Sequence, residues 1–411
     1  MNLEHDGILF FDLTLTGHHM EFLFHLMSYR SKHPELPPFI FLIHPDYIRS
    51  APAWFLPRDI QGRGLRLIHP NEDEMHLLNN AGPQENADLQ LRILSRGIEE
   101  SGLHRCCIMA LNKLEKVLGS RAGRSLPCVL TGIYFAPFTW DTIENRQKYS
   151  IRGLVKWLIK YLEMAWMLRN RNLKKIFLLN DESSAQRLNR IYNRPGLFYP
   201  LADPVFRIPD KHVTHGNLYV GSDRTRKRLL LFGSLASRKG IFLALEAVAS
   251  LPDQIAGKIE LVYAGPIDKK EKTEFLSGVE RVISRCPSVS IRIIDHFIDY
   301  ESIPDWFKAS DCIIIPYTSS EGSSGIIGHA ALYDKPLIGP RQGLLGSLIR
   351  KYDLGQTLES IAPTELAAAM TRLAVQDQSL VGDYSGMRRY VLEHEPDRFV
   401  ETLIEPLLAD T

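Results

Sequence analysis

Short, unbroken apolar runs rich in β-branched and aromatic residues recur through this chain in two series, with helical patterns filling the gaps between them. GILFF (residues 7–11), FIFLI (39–43), LRLI (65–68), CVLTGIYF (128–135) and KIFLLN (175–180) make up the first; LLLFGS (229–234), IELVYAG (259–265), SIRIIDHF (290–297), DCIIIP (311–316) and PLIG (336–339) make up the second. A strand with one wet face alternates apolar and polar residues, whereas a continuous run predicts a parallel strand covered on both faces. The polar stretch HGNLYVGSDRTRKR (215–228) separates the two series. The expected fold is therefore α/β, with two Rossmann-like doubly wound domains, residues 1–215 and 216–390, facing a central cleft. DRFVETLIEPLL (397–408), within residues 391–411, reads as an amphipathic helix; its pattern leaves open whether it docks on its own domain or crosses back to the first. Ligands of such sheets sit at the carboxyl ends of the strands, so the strand-to-helix turns are the places to look for chemistry.

A length of 411 residues suits two or three domains, and a net charge of +1 argues against a surface that is basic throughout. The five cysteines show no CxxC spacing, so neither a zinc site nor a disulfide framework is suggested, and a reducing compartment fits. The opening MNLEHDGILFF lacks the basic and long apolar regions of a signal peptide, and no run of about 18 apolar residues suggests a membrane span. NEDE (71–74) reads as a solvated loop, and no DxD pair for a metal-bound diphosphate is visible. A metal-independent reaction with no cofactor is the simpler expectation.

The turn SSEGSSGIIGHAALYDKPLIG (319–339) carries the sharpest signal. A strand ends at Pro316, a Gly/Ser-rich turn follows, a helix is predicted from about Ser323 to Tyr333, and Pro336 forbids its continuation. A helix start of this composition offers backbone N–H groups and the positive end of the helix dipole to an anion such as a diphosphate. Glu321 would repel phosphate, so a hydroxyl-rich group beyond it, such as a sugar ring, is its better partner; His329 can hydrogen-bond a further hydroxyl, for instance on a ribose. Simple N-capping around a buried imidazole is the alternative reading of the same residues. A second turn, in LLLFGSLASRKG (229–240), places Arg238 and Lys239 where a new helix begins, suited to neutralising a diphosphate leaving group.

EGSSGIIGHAALYDKP (321–336) and FGSLASRKG (232–240) together resemble the donor-binding domain of the family 4 glycosyltransferases, enzymes of the GT-B architecture that transfer a sugar from a nucleotide sugar. The likeness spans roughly residues 228–357 and, more loosely, FLLNDESSAQRLNRIY…YPLADPV. It implies that Lys239 contacts the donor diphosphate, that Glu321 holds donor-sugar hydroxyls, and that the amides around Ser323, Ser324, Gly325 and Ile326 bind phosphate, with Gly322 beside them in the donor-binding set. Gly17, Ser234, Arg238, Phe297 and His329 complete the donor-binding set. His329 stands where the family has a second Glu, and Ser234 where it has an Arg that Arg238 can replace. The implied reaction is transfer of a hexose-type sugar to a saccharide or lipid-linked acceptor with retention, as in polysaccharide biosynthesis. A nucleotide-sugar epimerase and a non-catalytic nucleotide-sugar-binding subunit are the alternatives.

FFDLTLTGHHMEFLFHLM (10–27) leaves its strand through Gly17 and enters a helix with His18 and His19 at its mouth. His18 is the candidate base for an inverting variant; His19 reads as a capping or packed residue. RQKYSIRGLVKWLIKYLEMAWMLRNRNLKK (146–175) carries nine basic residues against Glu163 alone, interleaved with aromatics. It reads either as an ordinary surface helix or as one lying on an anionic membrane through Lys156, Trp157, Lys160 and Trp166. No nucleic-acid-binding motif accompanies the charge. The expected location is cytoplasmic, with peripheral contact at the inner face of the membrane.

Overall fold

The computed structural model describes residues 7–15, 17–57, 64–135, 137, 151–213, 225–318, 322–375 and 384–409; the side chains at 151–154 and 156 are not described. Every strand pairing among the described residues is parallel. Parallel strands cannot be joined by tight hairpins, so each connection needs a crossover, and here most crossovers contain helices that cover the sheet faces. The chain divides into two units, Met1–Pro204 with Pro396–Thr411, and Val205–Glu395.

The first unit holds β1 (Ile8–Asp12), β2 (Phe39–Ile43), β3 (Leu65–Ile68), β4 (Arg105–Ile108), β5 (Val129–Ile133), β6 (Leu173–Leu179) and β7 (Phe198–Leu201), in the spatial order β3-β2-β1-β4-β5-β6-β7. β1 and β2 are buried along their whole length, as their unbroken apolar sequences require. Phe10 stacks on Phe41 with ring centroids 5.2 Å apart. The second unit holds β8 (Lys227–Phe232), β9 (Ile259–Ala264), β10 (Ser290–Ile294), β11 (Cys312–Ile314), β12 (Leu337–Pro340) and β13 (Gly355–Leu358), in the order β10-β9-β8-β11-β12-β13. In both sheets the order reverses beside the first strand, giving a switch point between β1 and β4 and another between β8 and β11. These are two Rossmann-like domains.

Much of the polar stretch, residues 215–224, lies outside the described residues. NEDE is not a solvated loop: Asn71 caps the helix Glu72–Asn80, its side chain accepting from the Glu74 N–H while the Glu74 carboxylate accepts from the Asn71 N–H. The Asn-x-x-Glu spacing is a reciprocal capping box, which outweighs the polarity of the segment.

The helix Pro396–Leu408 packs on the helix His19–Lys32 of the first unit. Phe399 stacks on Phe22 at 5.0 Å, the Tyr29 hydroxyl donates to Glu401 Oε1 at 3.2 Å, and Lys32 pairs with Asp397 at 3.1 Å. Phe399, Val400 and Leu403 are fully buried. Phe399→Ala should cost the first unit about 3–5 kcal/mol through lost burial and the cavity it leaves. Hydrogen exchange checks this: amides of β1 and β4 should lose protection while those of β8 and β9 keep theirs.

Candidate functional site

In the second unit, both sequence-predicted turns leave neighbouring strands at the β8/β11 switch point. β8 runs into the short 3₁₀ turn Ser237–Lys239 and then the helix Ile241–Ala249; β11 leads through Pro316 and Tyr317 toward the helix Gly325–Leu332. Gly240 joins the two turns. Its φ of +75° favours glycine, and a Cβ there would lie 2.1 Å from the Pro316 carbonyl oxygen. The Arg238 carbonyl accepts from both the Thr318 N–H at 2.9 Å and the Thr318 hydroxyl at 3.2 Å. The end of one turn is thereby stitched to the start of the other.

Lys239 is partly covered, its ammonium 5.5 Å from the centre of the Tyr317 ring and 3.4 Å from the Phe232 carbonyl. A Cβ on Gly233 would come within 3.2 Å of that ammonium, so glycine leaves the lysine room at the end of β8. Burial, helped by the neighbouring Arg238 guanidinium, pulls the Lys239 ammonium from its ordinary 10.5 to about 8. The buried Tyr317 phenol neighbours the Ser324 hydroxyl and is pushed up to about 12, so it stays neutral and can donate. Sequence reasoning passed over Tyr317 because nothing local marks an aromatic in a polar turn as a floor for a lysine.

The helix begins at Gly325, and Ser324 before it is extended and makes no side-chain cap. Gly322, Ser323, Ser324 and Gly325 are partly exposed and Ile326 is buried. Glu321 lies outside the described residues. His329 is only 7% exposed and its ring lies 5.2 Å from that of Phe307. Ser234 and Arg238 are exposed at the mouth of the first turn. Phe297 is 64% exposed, and its neighbours His296 and Ile298 line a cavity of about 390 Å³ along β10. Lys239, Arg238, Ser234 and the Gly322–Ile326 amides thus belong to one switch point, and Phe297 to the carboxyl side of an edge strand.

In the first unit, Gly17 takes φ +67° and His18 precedes the helix His19–Lys32. His18 Nδ1 lies 3.3 Å from Glu21 Oε2. His19 makes the closer pairing, its Nδ1 2.6 Å from Oδ2 of Asp12, a buried carboxylate ending β1. A carboxylate on one ring nitrogen fixes tautomer and orientation and leaves Nε2 for proton chemistry or hydrogen bonding. The charged residue that closes the apolar run FFD is the signal for this pair.

Of the residues assigned to membrane contact, Trp157 stacks on Tyr161 at 5.5 Å, and Lys160 pairs with Glu115 and, at 2.8 Å, with Glu163. Trp166 is exposed and donates to the Lys116 carbonyl at 2.9 Å. The Lys156 side chain lies outside the description. No helix among the described residues is long and apolar enough to cross a membrane. All five cysteines are buried free thiols, and among the described residues no three His, Cys, Asp or Glu side chains gather as metal ligands.

Residues 226–376 match the family model described as Glycosyl transferases group 1, so the second unit carries a glycosyltransferase-type domain. A search among curated proteins finds no match. Solved structures give full-length likenesses at low identity. HepE from Anabaena, solved with UDP and glucose, superposes with a TM-score of 0.65 at 15% identity, covering 98% of this chain and 100% of that one. Sucrose-phosphate synthase from Thermosynechococcus elongatus gives 0.66 at 12%, covering 99% and 100%. WaaG, described as a glycosyltransferase involved in lipopolysaccharide biosynthesis, gives 0.62 at 16%, covering 96% and 99%. At such identities the likeness establishes the fold, the two-domain GT-B architecture.

Lys239 is charged below about pH 8 and neutral well above it. A diphosphate is already ionised in that range, so the affinity of one held by Lys239, as the sequence resemblance implies, should fall as the pH rises through about 8. Lys239→Arg, cationic throughout, should flatten the profile. Calorimetric titrations across the range check both.

Proposed function

We propose that the chain is a glycosyltransferase of the family 4 type, moving a hexose-type sugar from a nucleotide-sugar donor to a saccharide or lipid-linked acceptor, with retention and without a metal or other cofactor. The observation that carries this is the convergence of Lys239, Tyr317 and the Gly325–Leu332 helix start at the β8/β11 switch point, inside the region matched to the glycosyltransferase domain. HepE, solved with UDP, lends support for a uridine nucleotide as a first donor to test.

In this reading, the diphosphate lies against the helix amides, with Lys239 and Arg238 balancing its charge. Glu321 holds the sugar hydroxyls. The bond from the anomeric carbon to the diphosphate oxygen breaks, and the acceptor oxygen bonds to that carbon on the same face. The acceptor proton passes to the departing diphosphate. Lys239 and the helix dipole stabilise the negative charge gathering on the leaving group, a contribution typically of about 10²–10³-fold in rate per donor. The first unit takes the acceptor.

Peripheral membrane attachment belongs to the same reading, since a lipid-linked acceptor would be met at a bilayer. Its support is the apolar face of the helix Ile151–Met167. Val155, Leu158, Ile159, Leu162 and Trp166 are 40–56% exposed, and at 3.6 residues per turn they share an arc of about 100°.

Purified protein given a panel of nucleotide sugars with saccharide and lipid-linked acceptors should release free nucleoside diphosphate and a glycoside of unchanged anomeric configuration. Glu321→Ala should abolish transfer with the fold intact, and Lys239→Ala should slow it about 10²-fold. Full activity in the Glu321 variant contradicts its role. An inverted product shifts the reading to an imidazole base, His18 or the Asp12-paired His19. An epimerised donor, or binding without turnover, selects the epimerase or the non-catalytic subunit.

A further inference from the structure

The first unit has a concentrated positive site that the donor chemistry does not use. Arg124 stands just ahead of β5, Arg169, Arg171 and Asn172 just ahead of β6, and Arg194 just ahead of β7. These five residues line one cavity of about 510 Å³. They are remote from one another in sequence but meet because β5, β6 and β7 are adjacent and parallel, which brings their amino ends to one edge. The Gly17 turn follows β1 at the opposite, carboxyl end of the same sheet. An amino-end pocket therefore cannot be part of the strand-end crevice where α/β sheets hold their substrates.

The backbone beneath the arginines is fixed. Asn170, buried, donates to the Leu118 carbonyl at 3.1 Å and the Gly123 carbonyl at 2.9 Å, and its Oδ1 accepts from the Asn172 N–H at 3.0 Å. Asn172 in turn donates to the Leu126 carbonyl at 2.8 Å. Above this floor all four arginines are exposed, and three make backbone or ring contacts: Arg124 Nε to the Ser120 carbonyl at 3.3 Å, Arg194 to the Leu168 carbonyl at 3.5 Å, and the Arg169 guanidinium 4.6 Å over the Trp166 ring. The salt bridges of this region engage Lys116 and Lys160 instead.

We propose that this four-arginine pocket binds the phosphate groups of an anionic lipid surface. Guanidinium forks match phosphate oxygens two at a time. What favours a lipid surface over a dissolved phosphate is Trp166, which both ends the exposed apolar face of the Ile151–Met167 helix and lies under Arg169. A bilayer offers head-group phosphate and acyl chain side by side, and the pocket and the apolar face meet at that residue. The proposal rests on the membrane attachment described above and on nothing in the donor site.

Co-sedimentation with vesicles of equimolar phosphatidylglycerol and phosphatidylcholine, and with phosphatidylcholine alone, tests it alongside calorimetric titration with inorganic pyrophosphate, all in the presence of saturating nucleoside diphosphate to fill the donor site. Wild-type protein should bind the anionic vesicles, more weakly as salt rises, and should ignore the neutral ones. Arg169→Gln with Arg171→Gln should lower binding at least tenfold, each arginine contributing roughly fivefold, while nucleoside diphosphate binding stays unchanged. Leu158→Ser with Leu162→Ser should weaken vesicle binding but leave pyrophosphate binding intact. Undiminished vesicle binding by the arginine variant overturns the pocket and, if the leucine variant is impaired, leaves helix attachment standing. Wild-type protein that binds pyrophosphate but no vesicle overturns the lipid assignment, and binding to neither overturns the site and the attachment together.

Discussion

The reversal of strand order beside β8 is the constraint on which the second unit's chemistry depends. β8 neighbours β9 on one side while β11 neighbours β12 on the other, the strand order at whose carboxyl end α/β sheets generally leave room for a ligand between diverging connections. Backbone then does most of the positioning. The Arg238 carbonyl takes two hydrogen bonds from Thr318, and Gly240 lets Pro316 approach to a distance that any side chain would forbid. Lys239 emerges there with its ammonium 5.5 Å from the centre of the Tyr317 ring, where burial lowers its pKa and makes its charge sensitive to its surroundings.

The same geometry separates what local sequence could reveal from what it could not. Strands β1, β2 and β9 were readable because double-sided burial leaves a nearly continuous apolar signature, and the two strand-to-helix turns were readable because Gly, Ser and cationic residues cluster within a few positions. The strands that escaped are the short Arg105–Ile108, the edge strand Phe198–Leu201 with Pro200 in it, and the polar edge strand Gly355–Leu358. Edge strands tolerate proline and polar residues because one side needs no partner, so they lose the signature of the interior.

Contacts between distant segments were harder to see. Lys160 reads as one more cation of a basic helix, yet it pairs with Glu115, 45 residues earlier, and Tyr134 donates to the same carboxylate at 2.6 Å. The His19–Asp12 pair needs the chain to turn back through Gly17 before imidazole and carboxylate meet. Arg124, Arg171 and Arg194 share a pocket only once β5, β6 and β7 are in register. In each case the residue types were plain and the sheet order that unites them was not.

The assignment of Pro396–Thr411 to the first unit gives the molecule an order of assembly. The seven strands of the first sheet are all synthesised by Leu201, but the helix that covers Phe22 is encoded at the far end of the chain. At usual translation speeds the intervening unit takes roughly 10–40 s to emerge, and for that interval the nascent first sheet waits with an apolar helix uncovered. A ribosome stalled anywhere in the second half would therefore strand an unfinished first half, exposed to whatever chaperone or aggregate reaches it before the last turn of chain arrives.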